Sequence, residues 1–373
     1  MPGNICWYWH VRRNHVRISL SGRLSYCKKE RRRPILHQKK ALEAAHIPVT
    51  TQFSADTQVI HINTVFPDSL LKALWARRHG IKVVYYAHST MEDFRNSFAC
   101  SNVLAPFFRR WLLLCYGQGD VILTPTDYSK QLLLSYGLHK PVYSISNGVD
   151  TDQFRFSQER RNRFRAAYHL RPDAPVVISV GHMIERKGIL DYIELAKRMP
   201  QVAFFWFGYT KPWLLPRKIK HAIRNAPDNL IFAGYVTQDQ LLDAYCGADV
   251  FAFLSKEETE GIVVLEALAA GTPTVVRNIP VYDGWLKDQE SVYKADDLNS
   301  FETTISQMLD GTLPKLTERG RTVAMERCFA NIGGQLRGIY AAQGLVFEAE
   351  PAKQRDRRSG ITHKPARYQY SSR

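Results

Sequence analysis

With 373 residues, 45% of them hydrophobic and 12% aromatic, the chain is too long for one ordinary core and too apolar for disorder over most of its length, so two domains are expected. A formal net charge of +16 places it among proteins attracted to polyanions: nucleic acid, anionic lipid head groups or phosphate-rich substrates. The excess gathers at the ends. Lys28, Lys29, Arg31, Arg32, Arg33, Lys39 and Lys40 stand against Glu30 alone, and Arg355, Arg357, Arg358, Lys364 and Arg367 recur in the tail. Each run reads either as a solvated arm or as a polyanion contact.

In chain order, residues 1–34 are atypical: Trp7, Trp9 and His10 are followed by dense arginine, and no opening strand with a glycine turn is recognisable. Helical spacing begins at 35–46. Short apolar runs at 59–62, 82–86, 121–124 and 142–146 read as strands, with helices near 68–78, 106–116 and 128–136 between them. This alternation is the signature of a parallel sheet covered by crossover helices. Asn147-Gly148-Val149-Asp150 and the charged stretch 158–165 follow, and a second series starts at Pro175, with strands at 176–180, 202–207, 230–233, 250–254 and 274–276. The expected organisation is an α/β chain of two doubly wound, Rossmann-like domains facing a cleft. The first spans 1–147, the second 148–345, and 346–373 form a disordered basic tail.

Cys6, Cys27, Cys100, Cys115, Cys246 and Cys328 form no C-x-x-C pair and have no His at metal spacing, and no secretory leader is recognisable; a reducing cytosol is expected. No segment has the apolar length to cross a bilayer, so a membrane would be met at its surface.

The stretch from Ser179 through Gly181, His182, Glu185, Arg186, Lys187 and Gly188 ends a strand and enters a helix. There two cations and the free N–H groups of a helix start converge, which suits a diphosphate; by itself the same stretch also reads as an exposed basic turn. Glu258 and Glu266 lie eight apart after the strand at 250–254, with Gly261 between them at a helix start. Both acids are positioned to bracket a ligand docked on that start, although a capped surface helix has the same pattern. His88, in Tyr86-Ala87-His88-Ser89-Thr90, ends a strand at the edge where such sheets bind ligands.

The Glu258/Glu266 spacing resembles the E-x7-E motif of glycosyltransferase family 4, and Leu265 to Pro273 is similar to that family's continuation. The resemblance covers roughly residues 35–345 and implies a GT-B fold with retaining hexose transfer from a nucleotide sugar such as a UDP-sugar. It implies that Glu266 binds the donor ribose, that Glu258 touches sugar hydroxyls, and that Lys187, Arg186 and Gly181 hold the diphosphate. Gly261, Ile262 and Val263 would close around the hexose, Tyr235 and Val236 would frame the base, and Asn147 would reach the cleft. His88 and Glu258 would be the catalytic pair, orienting and polarising without a covalent nucleophile. His182 departs from the family's usual arginine, leaving Arg186 to supply the second cation. No metal or other cofactor is implied, and Asp150-Thr151-Asp152 reads as linker capping.

His88-Ser89-Thr90 with Glu92-Asp93-Phe94, and Ile184 to Ile189, look most like bacterial enzymes that glycosylate diacylglycerol. The partners so implied are a nucleotide sugar, a lipid acceptor and an anionic membrane surface, at the inner face of the cell membrane. Two segments combine apolar anchors with cations for that surface: Arg109, Arg110 and Trp111 within 106–114, and Trp213, Arg217 and Lys218 within 212–218. A core helix with snorkelling arginines is the competing reading of the first. A polysaccharide or lipid-linked oligosaccharide is the alternative acceptor. A nucleic-acid-binding protein would explain the charge, but the chain lacks zinc spacing and an aromatic sheet motif, so no nucleic acid is expected. An inactive family member would explain residues 1–34.

Overall fold

The computed structural model describes residues 18–21, 33–47, 49–50, 57–97 and 101–345. The short apolar runs build two six-stranded sheets, parallel throughout. The first contains β1 (Ile18–Ser21), β2 (Val49–Thr50), β3 (Val59–Ile62), β4 (Lys82–Tyr86), β5 (Val121–Thr124) and β6 (Val142–Ser144), in the order β2-β1-β3-β4-β5-β6. The second contains β7 (Val176–Val180), β8 (Ala203–Phe207), β9 (Leu230–Gly234), β10 (Val250–Phe253), β11 (Thr274–Arg277) and β12 (Tyr293–Ala295), in the order β12-β11-β10-β7-β8-β9. The strand order of the second sheet turns back between β7 and β10, which leaves a crevice at their carboxyl ends.

Helices cover both faces, so the strands are continuous apolar runs rather than alternating ones. Val-Val-Ile-Ser-Val of β7 is buried at all five positions. Period-2 geometry sends Val176, Ile178, Phe205 and Phe207 to one core layer, and Val177, Phe204 and Trp206 to the other. In the first sheet Val84, Tyr86 and Leu123 face one layer while Val83, Tyr85 and Ile122 face the other.

Two features depart from the expectation. Residues 18–21 do form an opening strand, which sits between β2 and β3, with Ile18 opposite both Val49 and Val59. Four residues, Ile-Ser-Leu-Ser, inside a basic and aromatic segment carry too little periodicity to register as a strand. The helix Phe329–Ala342, expected with the second domain, packs instead in the first domain's core. There Ile332, Leu336 and Tyr340 meet Ala41, Leu42 and Ala45. Gly333 permits this contact, because a Cβ there would stand 2.2 Å from the Ala41 carbonyl oxygen. The tail beyond 345, most of the first basic run, and Cys6, Cys27 and Cys100 lie outside the described residues; Cys115, Cys246 and Cys328 are free thiols.

Candidate active site

Between the carboxyl edges of the two sheets lies a cavity of about 290 Å³. Its first-domain wall includes His88 and Asn147. Gly181, Lys187, Tyr235 and Val236 come from the second sheet's edge, and Glu258, Gly261, Ile262 and Val263 from the loop and helix after β10. Ten of the residues expected at the donor and catalytic site therefore share one space.

The second-domain edge is built by close backbone approach. Gly181 donates to the Phe207 carbonyl at 2.8 Å, and a Cβ on Gly208 would fall 2.0 Å from the Gly181 oxygen. A short 3-10 turn, Glu185–Lys187, ends at Gly188, whose φ is +77° and whose Cβ would lie 2.3 Å from the Leu254 oxygen. Glycine alone satisfies both demands, and the helix Ile189–Arg198 starts there. Gly261, φ +87°, likewise opens the helix Ile262–Ala269. The first N–H groups of these helices have no intrahelical acceptor and carry the positive end of the dipole.

Lys187 donates to Glu258 in a nearly enclosed ion pair, and its ammonium lies 5.5 Å from the centre of the Phe253 ring. Burial alone would raise the Glu258 pKa, but Lys187 and Arg186 overcome it and hold the carboxyl below the usual range. Burial pulls the Lys187 pKa down, against the opposing pull of Glu258.

On the opposite wall, the His88 ring stacks on Tyr86 at 4.3 Å and 9°. Its Nε2 donates to Oδ1 of Asn63 at 3.0 Å, so Nδ1 is left as the acceptor. Burial pushes the His88 pKa down to about 3, which keeps the ring neutral. Thr90 caps the following turn by accepting from Asp93 N at 3.1 Å, and Tyr116 and Tyr136 pin its backbone. Asn63 is the residue that sequence reasoning missed here, although its place just past β3 was a usable signal.

Arg186 and Glu266 do not line the cavity. Arg186 turns toward the first domain, where it meets Asp93 at 2.8 Å and Ser97 Oγ at 3.2 Å while also donating to the Glu257 carbonyl at 2.7 Å. The half-buried Asp93 carboxylate on the facing short helix draws the guanidinium away from the expected diphosphate position. Glu266 is fully buried in the second turn of its helix, with Oε2 3.1 Å from the Tyr245 hydroxyl. His182 does line the cavity, its Nδ1 lying 3.2 Å from the Tyr209 carbonyl.

Further contacts tie the domains together. Asn147 donates from its backbone N at 3.1 Å and from Nδ2 at 2.6 Å to Glu260, a buried acid on the cavity wall whose pKa burial raises. Thr126 and Ser129 donate to the Thr259 carbonyl at 2.9 and 3.1 Å. Asp150 pairs with Lys40 at 2.7 Å and accepts from Gln153 N at 3.0 Å, a capping role. Among the described residues no group of three or more His, Cys, Asp or Glu is arranged to hold a metal ion.

The membrane-facing expectation is partly displaced. On the helix Ser101–Tyr116, Trp111 donates its indole N–H to the Val65 carbonyl at 2.6 Å, and Arg109 lies 5.2 Å from the Tyr136 ring centre. The outward stripe is instead Val103, Phe107, Arg110 and Leu114, at helical spacing. Trp213 and Leu214 are exposed at 70% and 54%, beside exposed Arg217 and Lys218.

Two family models match: glycosyl transferases group 1 over residues 160–323, and glycosyltransferase family 4 over residues 24–153. The chain is 41% identical over 309 residues, which is 83% of its length and 92% of the relative's, to a processive diacylglycerol alpha-glucosyltransferase of Acholeplasma laidlawii. The chain belongs to glycosyltransferase family 4. This glycosyltransferase is also 26% identical over 246 residues, covering 63% of its length and 64% of the relative's, to an alpha-galactosylglucosyldiacylglycerol synthase of Streptococcus pneumoniae. Among solved structures, HepE of Anabaena in complex with UDP and glucose superposes with a TM-score of 0.73 at 14% identity, covering 88% of the glycosyltransferase and 100% of HepE. A sucrose-phosphate synthase of Thermosynechococcus elongatus gives 0.68 at 19% identity, covering 87% and 82%. These likenesses establish the GT-B fold.

Proposed function

We propose that this glycosyltransferase moves a hexose, glucose or galactose, from a UDP-sugar to a membrane lipid, diacylglycerol or a hexosyl-diacylglycerol, with retention at the anomeric carbon. The observation that carries the reading is the Lys187–Glu258 pair set between two helix starts in the interdomain cavity. A diphosphate leaving group develops negative charge, and among the described residues Lys187 is the one Lys or Arg lining this space. The N–H groups at Gly261 to Val263, and the positive end of the helix that starts after Gly188, add fixed positive charge without a bound metal. Turnover in excess chelator is therefore expected to match turnover without it.

The acceptor approaches from the His88 side. Neutral His88, with Nδ1 free to accept, orients a hexose hydroxyl rather than attacking carbon. The departing phosphate oxygen takes the acceptor's proton as the new glycosidic bond forms, so proton and leaving group balance within one ion pair. Glu258 binds hexose hydroxyls, and Glu266 stiffens the helix beneath the donor through Tyr245.

The lipid acceptor is supported by the named activities of the two lipid-glycosylating relatives and by the apolar stripe at Val103, Phe107 and Leu114 with Arg110 in its midst. No described helix is long and apolar enough to cross a membrane. Contact is then peripheral, at the inner face of the cell membrane, through this stripe and the Trp213–Leu214 corner. The test is incubation of the full chain with radiolabelled UDP-glucose or UDP-galactose and vesicles containing diacylglycerol. Label is expected in the lipid phase; label confined to water with both donors rejects the lipid acceptor.

A further inference from the structure

A second cavity, of about 320 Å³, opens on the same interdomain seam. Its first-domain wall is Glu92, Arg95 and Asn96, and its second-domain wall is Glu185, Arg186, Lys256 and Glu257. Three acids and three cations line it, burial pushing the Glu257 carboxyl up to about 7, and this polar lining is unsuited to an acyl chain.

Most of this lining is already committed. Arg186 is held by Asp93 and Ser97, Glu185 pairs with Lys218 at 3.3 Å, and Lys256 pairs with Asp191 at 3.2 Å. What remains is selective. Glu257 accepts from the Tyr128 hydroxyl at 3.2 Å through Oε2, but its Oε1 is buried with no hydrogen-bond partner. Arg95 has no carboxylate partner among the described residues, its guanidinium lying 3.8 Å from Met91 Sδ. Asn96 spends Oδ1 on Asn102 at 2.9 Å and keeps its amide N–H groups. The half-buried Glu257 carboxyl on one wall and the exposed guanidinium and amide donors of Arg95 and Asn96 on the other form a set complementary to adjacent ring hydroxyls, each of which both donates and accepts.

Its position supplies the second half of the argument. Glu257 precedes Glu258 and Arg186 precedes Lys187, so consecutive residues, about 3.8 Å apart at Cα, face the two cavities. A sugar held here lies beside the transfer site.

We propose that the seam cavity binds the head-group sugar of an acceptor lipid that already carries a hexose, and so selects hexosyl-lipid over unglycosylated lipid. The proposal rests on the lipid-acceptor reading above. It is tested by initial rates on vesicles containing either diacylglycerol or monohexosyl-diacylglycerol, for the parent chain, Glu257→Gln and Arg95→Ala, with UDP affinity measured on the same samples. The expected result is a fall of about tenfold or more in kcat/KM on the hexosyl-lipid, a change within about twofold on diacylglycerol, and unaltered UDP affinity. Equal losses on both acceptors, no loss on either, or a parent enzyme that uses diacylglycerol alone would each overturn the subsite. A parent enzyme that labels neither lipid overturns the lipid-acceptor reading itself, which is a distinguishable outcome.

Discussion

His88 shows how one residue acquires a defined chemical state from its neighbours. Asn63 fixes which nitrogen carries the proton, Tyr86 fixes the ring plane, and burial removes the charge. Replacing Asn63 with Leu is expected to lower kcat about three- to tenfold, the worth of one neutral hydrogen bond, with UDP affinity kept. Asn63→Asp sets a carboxylate against Nε2 and raises the His88 pKa, so the rate should fall on acidification at a higher pH than it does in the parent. His61, buried beneath this pair, is also pushed down to about 3, by burial and then by His88. Both histidines sit below their unfolded value of 6.5, so between pH 6.5 and 3 the unfolded chain binds more protons. Stability is complete above pH 6.5 and is lost as pH falls toward 3; urea midpoints should drop from pH 7.5 to pH 5, and drop less in His61→Phe. His88, Lys187 and Glu258 were legible in the sequence because strand ends and motif spacing locate them. The outward turn of Arg186 was not, since its direction is set by Asp93, some ninety residues earlier and on the other domain.

At the scale of elements, the parallel strands were legible because burial on both faces leaves uninterrupted apolar runs, as in β3, β5 and β7. β1 and the two-residue β2 were not, because β1 is placed by its register with β3, and β2 by its register with β1, rather than by their own composition. The glycine turn at Gly188 is an element in which sequence and packing agree. Gly188→Ala meets both a positive φ and the Leu254 carbonyl, and is expected to cost about 1–3 kcal/mol of stability, read from denaturant midpoints. The helix Ser101–Tyr116 was legible as amphipathic, but which of its faces looks outward was decided by the Trp111 bond to Val65. Phe107→Ser is accordingly expected to weaken co-sedimentation with anionic vesicles, whereas Trp111→Phe, which keeps the outward stripe, should leave it near the parent value.

At the scale of the whole molecule, the two sheets are joined by more than a linker. The helix Phe329–Ala342 returns to the first core, and Asp93–Arg186, Asn147–Glu260 and Thr126–Thr259 span the seam. The two-domain plan was legible from the repeated alternation of strand and helix, but the returning helix was not, because nothing local distinguishes a helix that packs on its own sheet from one that crosses over. The central claim is that the cavity between the sheets grips an activated sugar through Lys187 and the adjoining helix starts. The most direct test is calorimetric titration of the full chain with UDP-glucose, comparing the parent with Lys187→Ala and with the exposed-surface variant Arg110→Ala. A loss of affinity of about tenfold or more in Lys187→Ala alone is the expected result, since a charge-assisted contact to phosphate is worth about 1.5–3 kcal/mol. Parent-like affinity in Lys187→Ala would contradict the account.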